Sequence, residues 1–252
     1  MPNPLTLKLE QYTPFSPQER ARIEAMTRSR CETYAPGQPI IHEGEKVDQI
    51  HLVLTGLAAR SKQLPGGDRQ IMAFLVPGDL CDVEVFVLDA MDHDIVAVGE
   101  TTCGLIARSE IEVALGELSN LTKALWWSTM TDSAVLRARI IDHGRRAARE
   151  RIAHLVYEML VRYRIIGQAR DNAFAFPVTQ QDLADATGLT PVHVNRVLKG
   201  LRDDGLLAWD RKGVRVPDPA RLKRVARFES AYLHLDRTEA GDDVAARAGD
   251  LV

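Results

Sequence analysis

The segment FPVTQQDLADATGLTPVHVNRVLKGLR, residues 176–202, carries two helix-start patterns about eleven residues apart with a glycine between them. Thr179 followed by Asp182 is typical of a capping box, in which a hydroxyl accepts a hydrogen bond from a free amide of the first turn. Thr190 followed by proline indicates a second start, because proline at the first helical position loses no hydrogen bond. Gly188 stands where a chain leaving a helix needs a positive φ. The segment therefore predicts two short helices joined by a tight turn.

The second predicted helix has one apolar and one polar face. Its apolar residues recur at spacings of three and four: Val194, Val197, Leu198 and Leu201. Side chains of the kind found on the opposite face bond to base edges or phosphates when a helix enters a major groove. We predict that the bases are read by Val192, His193, Asn195 and Arg196.

A β-hairpin is predicted directly after the helix pair, with strands at 206–209 and 214–216 around a basic turn. A helix pair alone is common in domains that bind no DNA. A helix pair followed by such a hairpin is a winged helix, whose tip lies well placed to contact phosphate. The predicted phosphate anchors are Thr179, Gln180, Thr190, Lys199, Arg211 and Lys212.

Charge is divided unevenly along the chain. Residues 145–227 contain 17 Lys and Arg against 9 Asp and Glu, which gives this segment a net charge of +8. The whole chain has a net charge of −3, so the remaining residues together carry −11. A basic segment joined to an acidic one favours a DNA-binding domain beside a domain that phosphate repels.

The front of the chain is β-rich. Short apolar runs between residues 33 and 108 are separated at intervals by glycine or proline, and the clearest predicted strands are 50–54, 71–76 and 83–88. Evenly punctuated strands of this kind predict a jelly-roll-like β-roll. Residues 16–29 predict a short amphipathic helix before it, capped by Ser16. The fold class is α+β, and 252 residues suffice for two compact domains with substantial cores.

A long helical stretch runs from about Ser109 to His143, with an interruption near residues 118–120. Residues at spacings of three and four along one side approximate a heptad seam: Trp126, Met130, Ser133, Leu136, Ile140 and His143. Part of this stripe is expected to pack on the β-roll. The rest favours a partner helix from a second copy of the chain.

Several classes of protein and cofactor are disfavoured. No apolar stretch reaches the ~18 residues of a membrane span, and the N-terminus lacks a signal-peptide core, so we predict a cytoplasmic protein without membrane contact. Three scattered cysteines predict buried thiols rather than disulfides or a cluster. His42, His51 and His93 form no paired metal-binding motif, so no cofactor or metal is predicted.

Together these features resemble the Crp/Fnr family of bacterial transcription regulators over about residues 14–228. The resemblance rests on residues 34–37, 42–44, 54–56 and 77–80 (YAPG, HEG, LTG and PGDL), on the helix around 149–153, and on the block 178–207. It implies a cyclic-nucleotide-binding-type β-roll at 14–108, a connector with a dimerisation helix at 109–144, and a winged helix at 145–228. The implied partners are double-stranded DNA, a second copy of the chain and RNA polymerase.

Two departures from the family pattern limit what the resemblance implies. Cyclic-AMP receptors hold the ligand phosphate with an Arg-Ser pair, where this chain has His93 and Asp94. A carboxylate near an anion costs about 1 kcal/mol even when well screened. We therefore predict a degenerate effector pocket at Asp79, His93 and Asp94, with the effector unknown. The family commonly has Glu at the position of Val192, so the operator half-site is expected to differ.

Two other function classes stay open at this point. One is a metal-dependent, cupin-like enzyme, because a jelly roll can house a metal. The other is a scaffold protein that uses its winged helix for protein contacts. Residues 237–252 are rich in Asp, Ala and Gly and predict a disordered tail.

Overall fold

The computed structural model describes residues 2–83, 88, 90–210 and 213–235. Two helices precede the β-rich region: α1 (Pro4–Leu9) and α2 (Pro17–Arg28). The capping box predicted for α2 is present, with Ser16 accepting from the amide of Glu19 and the Glu19 side chain accepting from Ser16. Helix α1 was not predicted; Asn3 caps it and proline occupies its first position.

Seven strands follow: β1 (Cys31–Tyr34), β2 (Pro39–Ile41), β3 (Gln49–Thr55), β4 (Ala58–Gln63), β5 (Arg69–Leu75), β6 (Asp94–Ala97) and β7 (Thr101–Ala107). They form an antiparallel sheet of order β1-β7-β3 and another of order β2-β6-β4-β5. The predicted strands at 50–54 and 71–76 are confirmed. For the strand predicted at 83–88, residues 84–87 lie outside the described residues.

The side chains between these two sheets are buried and apolar, including Ile41, Ile50, Leu52 and Ile95. Of the three cysteines, Cys81 and Cys103 are buried in this core, whereas Cys31 is exposed. The expectation of three buried thiols is therefore wrong for Cys31, because it begins the edge strand β1, whose first three residues face solvent.

The long helical stretch is divided as predicted. Helix α3 (Arg108–Glu117) and helix α4 (Ser119–Arg145) are separated at Leu118, whose φ of −115° and ψ of 88° are not helical. Helix α4 buries one side on the rest of the chain, with Leu121, Ala124 and Leu125 against the β-roll core. Part of its surface packs on its own chain, as expected.

The C-terminal part contains α5 (Ala148–Ile165), β8 (Ala173–Phe174), α6 (Gln180–Thr187), α7 (Pro191–Asp203), β9 (Ala208–Asp210), β10 (Gly213–Arg215), α8 (Pro219–Ala226) and a 3-10 turn (Ser230–Leu233). The predicted wing is present, and β8 adds a third strand to give the order β8-β10-β9. Strand β9 begins two residues later than predicted, because Leu206 and Leu207 turn inward and are buried in the core.

The winged helix and the β-roll share one hydrophobic cluster. Leu57, Ile71 and Phe74 of the roll belong to the same buried cluster as the helices of the C-terminal part. Phe74 meets Phe176 edge to face, with ring centroids 5.3 Å apart. A second cluster lies within the roll, so each part has a core of its own, and the two parts also bury apolar surface against each other at this boundary. Among the described residues, no helix is long and apolar enough to cross a membrane.

Candidate nucleic-acid interface

Local hydrogen bonds fix the entry to α6 and the turn after it. Thr179 Oγ1 accepts from the amide of Asp182 at 3.0 Å, and the amide of Thr179 donates to Asp182 Oδ2 at 2.9 Å. Gly188 ends the helix with a φ of 64° and a ψ of 34°. A left-handed residue of this kind turns the chain sharply, and only glycine adopts it at little cost. The predicted turn between the two helices is confirmed.

Helix α7 presents the polar face that the sequence predicted. Thr190 caps it by accepting from the amide of His193 at 3.3 Å. Val194, Leu198 and Leu201 are buried beneath. The predicted base-reading residues all lie exposed on the outer side: Val192, His193, Asn195 and Arg196. The helix therefore offers an accessible surface of the length and polarity that a major groove accepts.

The predicted phosphate anchors surround this helix where the structure describes them. Gln180, Thr190 and Lys199 are exposed. Thr179 is exposed too, but its hydroxyl donates to Asp182 at 2.7 Å and its amide bonds to the same carboxylate. A phosphate at Thr179 would have to compete with Asp182 for both donors. Arg211 and Lys212, predicted for the wing tip, lie outside the described residues.

Two carboxylates on α6 are paired with a residue of the β-roll that no sequence motif singled out. Arg69 on β5 contacts Asp182 at 2.5 Å and Asp185 at 2.7 Å. The partners are more than a hundred positions apart in the chain, so no local pattern signals the contact. Arg69 neutralises negative charge on the helix that would otherwise repel a nearby phosphate.

The predicted seam on α4 is partly exposed. Trp126 and Ile140 have exposed fractions of 72% and 71%, and Met130 has 44%. Ser133 and Leu136 are half-buried within the chain. An apolar stripe of this kind on a monomer is typical of an interaction surface.

His143, the last residue of the predicted seam, is exposed but also lies at the helix-turn-helix. A Cβ atom added to Gly188 would stand 3.0 Å from His143 Nδ1. Partial burial and the nearby charge of Arg151 lower the pKa of His143, so its imidazole is favoured in the neutral form. His143 thus links the end of α4 to the turn before α7.

His93 and Asp94 lie in the β-roll as predicted, at the start of β6. The Nδ1 atom of His93 is 2.5 Å from Asp92, and the hydrogen bond to His93 lowers the pKa of Asp92. Asp94 accepts from the backbone amide of Glu43 at 2.8 Å. These contacts leave carboxylates, and no arginine, at the positions where the resemblance implies a phosphate clamp.

Asp79, the third residue of the predicted pocket, has different neighbours. It is buried, with Lys8 of α1 at 2.9 Å and the guanidinium of Arg162 of α5 in contact. Its carboxylate also accepts from the amide of Val76 at 2.7 Å. Burial alone would raise the pKa of Asp79, but the charges of Arg162 and Lys8 outweigh it and lower the pKa. Asp79 therefore joins α1, the roll and α5 rather than sharing these contacts with His93 and Asp94.

The other two candidate histidines, His42 and His51, lie in different surroundings. His51 is buried, and its Nδ1 lies 2.7 Å from Asp82, whereas the His42 side chain is exposed. Among the described residues, no group of three His, Cys, Asp or Glu side chains is arranged to hold a metal ion.

Comparison with family models supports both halves of the architecture. A model for a Crp-like helix-turn-helix domain matches residues 150–225. A model for a cyclic nucleotide-binding domain matches residues 31–117. The second match covers the strands of both roll sheets, and the first runs from the third residue of α5 to the penultimate residue of α8.

Individual relatives align over most of the chain. It is 28% identical over 217 residues to the transcriptional activator protein FnrL of Cereibacter sphaeroides, covering 84% of this chain and 86% of FnrL. It is 27% identical over 223 residues to the nitrogen fixation regulation protein FixK of Rhizobium meliloti, covering 87% of this chain and 94% of FixK. The structure of FixK2 from Bradyrhizobium japonicum superposes with a TM-score of 0.69 at 28% identity, covering 78% of this chain and 96% of FixK2.

Proposed function

The chain belongs to the Crp/Fnr family of transcription regulators, and from that membership we propose that it acts as a homodimer reading a two-fold operator in double-stranded DNA. The family consists of DNA-binding regulators and not of enzymes, so the hypothesis of a cupin-like enzyme is wrong. RNA polymerase is the further partner proposed for a regulator of transcription, and the cytoplasm is its proposed location.

The observation that carries this proposal is the outer face of α7. Asn195 and Arg196 are exposed there, next to Val192 with an exposed fraction of 71%. An arginine can make two parallel hydrogen bonds to a guanine edge, an asparagine can do the same with adenine, and an aliphatic side chain can contact a thymine methyl. The face therefore combines three kinds of base contact on one helix.

The exposed stripe on α4 supports the dimer. Trp126, Met130 and Ile140 expose apolar surface to solvent in the single chain. Pairing α4 with the same helix of a second copy removes this surface from water in both chains, which is favourable. Two copies related by a two-fold axis would present two α7 helices to successive major grooves.

The β-roll is proposed to work without a cyclic nucleotide. Asp94 is held toward the backbone of Glu43, and Asp92 pairs with His93, so the region carries negative charge. A cyclic nucleotide phosphate needs the opposite charge. The effector, if the roll binds one, is then of another chemical class.

Selection of bound duplexes from a random DNA pool tests the proposal. Enrichment of a sequence with two inverted half-sites is the expected result. The selected duplex should bind more weakly as salt rises, because lysine and arginine contacts release counterions. Failure to enrich any sequence, with no salt-dependent binding, would support the scaffold hypothesis, in which the winged helix contacts protein.

A further inference from the structure

The winged helix is held on the β-roll of its own chain by a clamp of four residues. Arg69 and Gln70 at the start of β5 form one side, and Asp182 and Asp185 of α6 form the other. Arg69 Nη2 lies 2.5 Å from Asp182 Oδ1, and Arg69 Nε lies 2.7 Å from Asp185 Oδ2. Gln70 Nε2 donates to the backbone oxygen of Asp185 at 2.6 Å.

The clamp fixes the orientation of α6 on the β-roll as well as its distance from β5. The guanidinium of Arg69 is planar, and its two nitrogens bind two carboxylates one helical turn apart. The helix can therefore neither slide nor rotate without breaking one contact. The Arg69 side chain has an exposed fraction of 34% and the two carboxylates have 13% and 10%, so the clamp is partly buried and is screened by solvent less than a surface ion pair.

The covalent connection between the two parts does not impose this orientation. Helix α4 ends at Arg145, and α5 begins after Arg146 and Ala147, both with extended backbone. Arg139 of α4 pairs with Glu158 of α5 at 2.7 Å, and Arg162 of α5 donates to the backbone oxygen of Phe74 at 3.0 Å, so α5 is held on both α4 and the roll. The orientation of α6, and of α7 after the Gly188 turn, depends in addition on the clamp and on the Phe74–Phe176 contact.

The orientation of α7 affects binding to a two-fold DNA site, because both copies of the helix must reach their half-sites together. Each added base pair between half-sites moves one half-site by about 3.4 Å and turns it by roughly 35° around the duplex axis. A winged helix clamped to its own roll cannot follow that rotation without losing base contacts. Without the clamp, α6 and α7 are held by their packing on α5 and by the Phe74–Phe176 contact, and can shift to follow part of that rotation.

We propose that the clamp around Arg69 determines which spacing between operator half-sites the protein accepts. Arg69 is then a positioning residue, acting on α7 through α6 without touching DNA. The inference rests on the proposed function, because it requires a dimer on a two-fold operator. It adds that specificity for spacing resides in a residue of the β-roll, and specificity for bases in α7.

The test uses the operator selected from the random pool and duplexes with one base pair added or removed between its half-sites. The wild-type protein should lose roughly tenfold or more in affinity on the altered duplexes, about the cost of one mismatched base pair. Arg69→Ala should bind the selected operator somewhat more weakly, and should lose less than about threefold when the spacing changes.

A matched control lies on the neighbouring strand of the same hairpin. Lys62 of β4 contacts Glu43 at 2.5 Å and the backbone oxygen of Asp92 at 2.7 Å, both within the roll. Lys62→Ala also removes one positive charge and should keep the wild-type loss on the altered duplexes. Thermal melting of each variant verifies that it is folded.

A charge exchange separates the clamp from a general loss of stability. Arg69→Glu should reduce the dependence of operator affinity on half-site spacing. The double variant Arg69→Glu, Asp185→Arg should show a stronger dependence on spacing than Asp185→Arg alone, because the exchanged charges can pair again. An Arg69→Ala protein with the same spacing dependence as the wild type would overturn the inference. So would an Arg69→Ala protein that binds every spacing more tightly, because the clamp would then oppose DNA binding.

The two hypotheses fail in different ways. Without selective binding by the wild-type protein, the proposed function itself is wrong. With selective binding but an unchanged spacing profile in Arg69→Ala, the proposed function stands and the clamp has no role in spacing.

Discussion

Arg196 is the residue of α7 whose side chain is best suited to discriminate between bases. It is exposed on the same face as Asn195 and His193. A guanidinium can bond to both acceptors of a guanine edge, and each such bidentate contact contributes about 1–3 kcal/mol of discrimination. Lys199 lies one turn further along the helix and carries a point charge, which suits phosphate. Neighbouring cations on one helix are thus expected to have different effects on DNA binding.

Arg196→Ala should cost about 1–3 kcal/mol per half-site on the preferred operator and much less on random DNA. Lys199→Ala should weaken both DNAs similarly and reduce the log–log salt slope by about one per lost phosphate contact. Titrations of both variants on operator and random duplexes at several salt concentrations measure these effects. Equal losses on both DNAs for Arg196→Ala would assign Arg196 to phosphate and leave base reading to His193 and Asn195.

The contacts of Asp94 predict that the β-roll does not bind cyclic nucleotides. The carboxylate accepts from the amide of Glu43 and lies where a cationic clamp would be needed. We expect no binding of cyclic AMP or cyclic GMP at micromolar concentrations, and DNA binding without added nucleotide. Isothermal calorimetry measures nucleotide binding directly. A one-to-one complex with either nucleotide at micromolar concentrations would contradict the prediction. A known cyclic-nucleotide receptor in the same buffer serves as the positive control.

At the scale of elements, the turn between α6 and α7 depends on one backbone conformation. Gly188 has a φ of 64°, and an added Cβ would stand 3.0 Å from His143 Nδ1. Gly188→Ala should lower the free energy of unfolding by about 1–2 kcal/mol, the cost of a left-handed conformation with a side chain. Denaturant unfolding measures the change.

A second glycine supplies the control for that turn. Gly116 lies in α3, and a Cβ added there would meet nothing within 4 Å. Gly116→Ala should stabilise the protein by roughly 0.5–1 kcal/mol, because alanine loses less backbone freedom in a helix. Equal stability of Gly188→Ala and the wild type would mean that the turn tolerates a side chain.

Helix α4 carries the predicted dimer contact, and Ile140 offers the cleanest test of it. The side chain has an exposed fraction of 71%, so a charge there leaves the single chain's core intact, whereas the half-buried Leu136 would disturb it. Ile140→Asp should weaken association, because a buried unpaired charge costs several kcal/mol. Operator affinity should fall with it, since the two half-sites are no longer linked.

Light scattering and operator titration of the same samples measure both effects. Val113→Asp places the same charge at an aliphatic residue of α3 with an exposed fraction of 52% and should leave the dimer intact. A monomeric Ile140→Asp protein with full operator affinity would break the link between dimerisation and DNA binding.

At the scale of the whole molecule, the features predictable from the sequence were the local ones. The caps at Ser16, Thr179 and Thr190 and the turn at Gly188 each depend on residues a few positions apart, so their patterns are visible in the chain. The pairing of Arg69 with α6 joins residues more than a hundred positions apart, and only the tertiary fold defines it. The same holds for Asp79, whose partners Lys8 and Arg162 lie 71 and 83 positions away in the chain.

The ion pairs of Asp79 predict how stability of the whole chain depends on pH. Its pKa is lowered in the folded state by Arg162 and Lys8 against the effect of burial. Below the ordinary aspartate pKa of about 3.9, the unfolded state binds this proton first, so the stabilisation is present above that pH and lost as pH falls toward the lower folded value. Asp79→Asn removes the nearer carboxylate of both cations but leaves Lys8 with Asp132 at 3.9 Å and Arg162 with Glu158 at 3.6 Å, so it should cost at most about 3 kcal/mol at neutral pH.

Urea unfolding of the wild type and Asp79→Asn between pH 6 and pH 3 measures the difference, which should shrink toward the acid end. Glu10→Gln is the control, because its ion pair with Arg20 is largely exposed and should contribute less than about 1 kcal/mol. Asp79 lies between α1, the roll and α5, so its loss should lower the cooperativity of unfolding as well. A constant difference between wild type and Asp79→Asn across this range would show that the Asp79 carboxylate keeps its ordinary pKa in the folded protein.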